Sequence, residues 1–314
     1  MDKKFLILAL IICVMLLIGC SNNGSRGNSG RADVRTGTKG LQLSLLPGAP
    51  PEKFLGPGKM SIGLQVKNLG ATTIDGQVFG GNVYISGYDP NVFQNVRGPT
   101  GQNHDGLGAL SGKGLSDPTG GMEVKEFETD INLDEGIPSY KTTILLTACY
   151  SYETLASTQV CVDPDPFSTT TKQKVCQTKD VSLSGGQGAP VAVTKVEAAP
   201  SAGKIRFTIY IQNVGGGLVY DKETPLECSP YSDGISYKHL DQVNVVEVKL
   251  GGSSMNCKGL TGNQIKLIEG KRSFLCEYDI PGGTSSAFNS PMSIKLQYGY
   301  RDSASRNIEI LRSP

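Results

Sequence analysis

Twice in this chain, 145 residues apart, a run of strictly alternating apolar and polar residues ends on Asn-x-Gly. The first is Met60-Ser-Ile62-Gly-Leu64-Gln-Val66-Lys-Asn68-Leu-Gly70; the second is Ile205-Arg-Phe207-Thr-Ile209-Tyr-Ile211-Gln-Asn213-Val-Gly215. Period-two alternation puts one set of side chains on one face, so each run reads as a strand with one face in a core and cannot serve as an amphipathic helix. Asn and Gly tolerate positive φ, so each strand is expected to turn at its Asn-x-Gly. A second correspondence closes each copy: Tyr150-Ser-Tyr152-Glu-Thr-Leu-Ala156-Ser157-Thr-Gln-Val160 matches Tyr298-Gly-Tyr300-Arg-Asp-Ser-Ala304-Ser305-Arg-Asn-Ile308 without a gap, at an offset of 148. Each of these reads as a strand, a polar turn and a return strand. Two blocks at nearly one offset mark a duplicated domain.

The opening strands are Leu41-Gln-Leu43-Ser-Leu45 and Val191-Ala-Val193-Thr-Lys-Val196. Between opening and closing blocks the first copy is expected to hold strands at 41–46, 60–68, 81–88, 122–132, 142–152, 157–162 and 174–183. The second is expected to hold them at 190–197, 204–213, 242–250, 264–269, 272–279, 292–300 and 306–312. Short strands separated by turn residues predict an all-β fold: two tandem antiparallel Ig-like β-sandwiches, at 41–183 and 190–314, after a signal helix and a flexible linker. The segment 184–189, with three Gly, reads as a hinge that leaves the sandwiches end-to-end with limited mutual contact. The strand blocks resemble prokaryotic surface Ig-like modules of the CARDB type, where alternating valines run into Asn-x-Gly. That resemblance covers about a fifth of the chain; it implies a sandwich used for adhesion or spacing and carries no catalytic residues.

The N-terminus fixes where these modules work. Lys3 and Lys4 precede an apolar run from Phe5 to Ile18, which ends at Gly19-Cys20. A run this short falls below the roughly 20 residues a spanning helix needs, so 1–19 reads as a secretory signal. Leu17-Ile18-Gly19-Cys20 resembles the prokaryotic lipobox, which implies lipidation of Cys20 and a membrane anchor. Residues 20–40 are Gly-, Ser-, Asn- and Arg-rich and read as a flexible tether. Without Asp2, Lys3 and Lys4 the mature chain carries 28 basic and 28 acidic residues, and nothing in that balance points to nucleic acid. Six cysteines remain after Cys13 and Cys20: Cys149, Cys161, Cys176, Cys228, Cys257 and Cys276. Outside the cytoplasm they read as disulfides, and three in each half require either one bridge between halves or a free or intermolecular thiol in each.

Catalytic groups are sparse. His104 and His239 are the only histidines, neither lies by a nucleophile motif, and no enzymatic role is expected. Gly56-Pro-Gly58-Lys59-Met60 lacks the Ser or Thr of a phosphate-binding loop and reads as a turn. Asp163 and Asp165, two apart in a Pro-fixed loop, are the one weak pointer to calcium. Two segments have the composition of contact loops: the glycine-rich insertion 97–121, with His104 and Asp105, and 225–237, with Tyr231 and Tyr237. The expected function is a lipid-anchored binding or structural protein of the cell surface, engaging another envelope or surface protein. The alternative is a receptor for a glycan or small solute, which the absence of Trp disfavours.

Overall fold

The alternating runs are strands, and the two halves share one sheet. The structure, a computed structural model, describes residues 35–76, 79–168, 174–201, 203–282, 284 and 286–313. The first half contributes β1 (Leu41–Leu45), β2 (Lys53–Gly56), β3 (Gly58–Asn68), β4 (Gly81–Ser86), β5 (Phe93–Arg97), β6 (His104–Gly106), β7 (Met122–Ile131), β8 (Ser139–Val162) and β9 (Val181–Ser182). The second contributes β10 (Val191–Ser201), β11 (Lys204–Asn213), β12 (Leu218–Tyr220), β13 (Gln242–Leu250), β14 (Ser253–Ser254), β15 (Asn256–Lys258), β16 (Gln264–Lys266), β17 (Lys271–Asp279) and β18 (Phe288–Arg312). Each half has a small outer sheet, β1-β3-β7-β5 or β15-β17-β11-β10-β9. Both pack on one nine-stranded sheet ordered β14-β13-β18-β8-β4-β6, with β2 and β12 beside β18 and β16 beside β13. The described fold is thus all-β, and antiparallel except where β2 joins β18 in parallel.

β8 and β18, 24 and 25 residues long, pair antiparallel from Ser139↔Leu311 to Val162↔Phe288. The turns expected after Tyr152 and Tyr300 do not exist: neither stretch holds Gly or Pro to stop a strand, and the alternation continues straight through. Tyr150 pairs with Tyr300 and Tyr152 with Tyr298, and the repeat offset of 148 exchanges these two pairs, so a pseudo-two-fold axis passes through Ser151↔Gly299. The relation is that of an isologous dimer fused into one chain.

Each long strand serves both cores. β8 pairs with β4 of its own half up to Tyr150 and then runs against the second half, where Thr154 Oγ1 donates to the Val191 carbonyl at 2.5 Å. β18 returns the exchange: Ile308 and Ile310 are buried, and Arg306 donates to the carbonyls of Leu46 and Pro50, both at 3.0 Å. The halves therefore do not hang end-to-end on a loose hinge. Residues 34–314 cluster as one unit, and within 184–189 Gln187 and Ala189 are buried.

Four buried tyrosines lock the exchange. Tyr150 Oη accepts from the Leu41 amide and Tyr298 Oη from the Val191 amide, each at 3.1 Å, so the first tyrosine of each Tyr-x-Tyr holds an opening strand. The second holds the Asn-x-Gly: Tyr152 Oη donates to Asn68 Oδ1 at 3.2 Å and Tyr300 Oη to Asn213 Oδ1 at 3.1 Å. Tyr152 and Tyr300 also accept from the amides of Thr72 (3.2 Å) and Gly217 (2.7 Å). Contrary to the expectation of positive φ at the Asn-x-Gly, Gly70 does not adopt it; a β-carbon there would overlap the Tyr152 hydroxyl. Asp302 accepts from Tyr150 Oη at 2.7 Å, and burial holds its carboxyl above the usual range against the pull of that hydrogen bond.

Tyr152→Phe and Tyr300→Phe each take the acceptor from a backbone amide, Thr72 or Gly217, and one of two donors from an Asn oxygen, which keeps the Gly70 or Gly215 amide. Each substitution is expected to cost about 1–3 kcal/mol in urea unfolding, with the two values close because the sites are pseudo-equivalent.

Candidate functional site

The six cysteines among the described residues form Cys149–Cys228, Cys161–Cys176 and Cys257–Cys276. Of the two arrangements the sequence allowed, the first holds: Cys149–Cys228 joins the halves. Cys20 lies outside the described residues. Cys149 sits on the face of β8 opposite the core tyrosines, where Cys149, Cys228, Tyr84 and Tyr220 form a small buried cluster with Leu218 and Ile235 against it.

That bridge lays the segment 225–237 across the edge of the first half. Tyr231 Oη donates to the Ile85 carbonyl and lies 3.2 Å from Tyr88 Oη. Burial, then hydrogen bonding with Tyr88, pushes the Tyr231 hydroxyl upward. Beside it, His104 stacks on Tyr84 with ring centroids 5.4 Å apart, its Nδ1 3.4 Å from Asn103 Oδ1. The two segments singled out in the sequence, far apart along the chain, thus meet on one surface.

The second segment is braced internally as well. Pro225–Cys228 forms a 3-10 turn, His239 Nδ1 lies 2.8 Å from Glu227 Oε1, and the Ser236 amide donates to Glu227 Oε2 at 2.9 Å. The His239 hydrogen bond holds the Glu227 carboxyl below its usual range. Leu226 and Tyr237 are left 78% and 79% exposed, and the Lys266 ammonium sits 3.4 Å from the Tyr237 ring centroid. An exposed aliphatic and an exposed aromatic on a braced segment form a preorganised contact patch.

Other candidates have structural employment. Asp105 is buried and paired with Lys125 at 2.7 Å. Burial works against the Lys125 ammonium, yet hydrogen bonds to Asp105 and Glu123 override it and raise its pKa. The later part of 97–121 is not a free loop: Leu107 and Leu110 are buried, and Asn68 Nδ2 donates to the Leu110 carbonyl at 3.2 Å. Asp163 and Asp165 do not converge on a cation site. Lys174 Nζ lies 2.6 Å from Asp163 Oδ2 and 2.5 Å from the Asp165 carbonyl, so an ammonium stands where calcium was considered. Among the described residues no three His, Cys, Asp or Glu side chains gather as a metal-ligand set.

Sequence reasoning missed β4, Tyr84 and Tyr88 as parts of this surface. The signal was weak: Val83 and Ile85 alternate with Tyr84 as an ordinary strand would, and nothing local shows which tyrosine faces out.

No protein-family model matches the chain, and no curated protein matches it in sequence. Solved structures that overlap it include the Salmonella enterica SafA pilin in complex with the SafB chaperone (Type I), at 10% identity, covering 79% of this chain and 88% of that one, with a TM-score of 0.21. The E. coli chaperone DraB overlaps at 11% identity, covering 78% and 87%, with a TM-score of 0.20. The CupB6 tip adhesin from Pseudomonas aeruginosa overlaps at 8% identity, covering 88% and 97%, with a TM-score of 0.17. At those scores the overlaps carry no inference about what this chain binds.

Removing Cys149–Cys228, which closes 79 residues, is expected to cost about 4 kcal/mol by loop entropy. Limited proteolysis of Cys149→Ser/Cys228→Ser should then cut first within 229–237, where the intact protein resists.

Proposed function

We propose that this is an extracytoplasmic, lipid-anchored binding or structural protein that presents the surface made by 225–237 and the adjoining β4–β6 edge to another envelope protein. The observation that carries the reading is the inter-half disulfide, which holds a tyrosine-bearing segment rigid with Leu226 and Tyr237 exposed. Three disulfides favour an oxidising compartment, in line with the leader and lipobox-like residues ending at Cys20. The role is non-enzymatic. Both imidazoles are engaged without a nucleophile in the pair, His104 against Tyr84 and Asn103, His239 against Glu227. A polypeptide suits the patch better than a sugar, since its exposed apolar groups are Leu226, Tyr231 and Tyr237 with no Trp platform.

Cross-linking in intact cells, with identification of linked peptides, tests this. Wild-type protein should link residues 225–237 to one recurring partner. Tyr237→Ala with Leu226→Ala should cut that yield at least fivefold while leaving the melting temperature unchanged. Links to many unrelated neighbours, or equal yield from the variant, would sink the reading.

A further inference from the structure

Three side chains able to react with one another meet inside the first half. Asp105 lies on β6 in register with Val83, a core residue of β4, and Lys125 lies on β7 two residues before the buried Phe127. Period two therefore points both side chains inward, one from each of the two facing sheets. Lys125 Nζ sits 2.7 Å from Asp105 Oδ2 and 3.2 Å from Glu123 Oε2, and the three side chains are 13%, 7% and 19% exposed.

Each group is held where it stands. The Gly108 amide donates to both Glu123 oxygens at 3.2 Å, and Lys125 also donates to the Gly106 carbonyl at 2.7 Å. The chain runs on from Asp105 into the buried Leu107 and Leu110, which keep water scarce. Lys174, paired with Asp163 at 2.6 Å, is by comparison 27% exposed, and no second carboxylate pairs with it among the described residues. A charged pair is costly in such a place, and a neutral linkage of the same atoms is not.

We propose that Lys125 and Asp105 form an intramolecular amide, with Glu123 moving the protons. Glu123 Oε2 takes one proton from the Lys125 ammonium, which frees the nitrogen lone pair. Nζ then attacks Asp105 Cγ to form the C–N bond, and the tetrahedral carbon breaks its bond to one carboxyl oxygen. Two protons of the former ammonium leave with that oxygen, one of them through Glu123. Ammonium plus carboxylate thus becomes amide plus one water, with no oxidant, reductant or cofactor. The hydrogen bonds that favour the ammonium slow this step, while burial works in its direction. Free in water the two groups would stay apart; held in contact they gain an effective concentration on the order of 10⁵ M, and the loss of two buried charges adds to the drive.

The product joins the two sheets of the first half at the edge that carries His104. None of the three disulfides does so: Cys149–Cys228 joins the halves, Cys161–Cys176 ties the end of β8 to the segment after it, and Cys257–Cys276 joins β15 to β17. The amide stands without the contact surface around Tyr237.

Mass spectrometry of the complete chain, unfolded, reduced and digested with trypsin, tests it. Trypsin does not cut after an acylated lysine, so 98–113 should appear joined to 114–141 and lighter than their sum by one water. Lys125→Arg should abolish the joined peptide. Glu123→Gln, which keeps an oxygen for the Gly108 amide, should lower the joined fraction roughly tenfold or more. Recovery of all 114–125 as a free peptide from the wild-type chain would overturn the proposal. So would a loss of water confined to 98–113, by closure of Asp105 onto the Gly106 nitrogen, or a joined fraction unchanged in Glu123→Gln.

Discussion

Everything in this fold depends on the pairing of β8 with β18 along their entire lengths. A strand of that length normally belongs to one sheet and one core. Here each passes the pseudo-two-fold axis at Ser151↔Gly299 and spends its first part on its own half and its second part on the other. Neither outer sheet has a complete floor without a strand from the opposite repeat. The exchange also places Cys149 opposite the second half, so the disulfide to Cys228 follows from it, and with that disulfide the surface on which 225–237 meets β4 and β6.

The exchange brings polar groups into the core, and their satisfaction decides which polar residues the sequence carries. Thr154 and Asp302 occupy equivalent positions on the inward face of the long strands, where an apolar residue would be ordinary. Each meets the first tyrosine of a Tyr-x-Tyr: Thr154 Oγ1 lies 2.9 Å from Tyr298 Oη, and Tyr150 Oη donates to Asp302 at 2.7 Å. The tyrosines in turn hold the opening strands and the Asn-x-Gly ends through hydroxyl contacts to backbone amides. Such groups left unpaired would each cost about 1–3 kcal/mol, so the network specifies the register as much as it stabilises it.

Much of the strand content was legible. The alternation at 60–68 and 205–213 gave β3 and β11 nearly to the residue, because one buried face forces period two. The long strands were not legible as single elements. Glu153-Thr154 and Arg301-Asp302 look like turn residues, and only the pairing shows that Thr154 and Asp302 face tyrosine hydroxyls. Asn-x-Gly was rightly read as the end of each strand and wrongly explained, since Gly70 and Gly215 make room for a tyrosine rather than adopt positive φ. The contact surface was half legible: Tyr231 and Tyr237 stood out by composition, while their neighbours on β4 depend on a long-range bridge that cysteine counting left open. Asp163 and Asp165 looked like ligands because their partner, Lys174, lies 11 residues beyond Asp163.

The most direct test of the shared-core architecture is calorimetry of the intact, disulfide-bonded chain. Because each core contains a strand from the other repeat, neither half can melt alone, and one transition whose calorimetric and van't Hoff enthalpies agree is the expected result. Two resolved transitions, each carrying about half of the total enthalpy, would mean that the repeats fold as independent sandwiches and would contradict the exchange of β8 and β18.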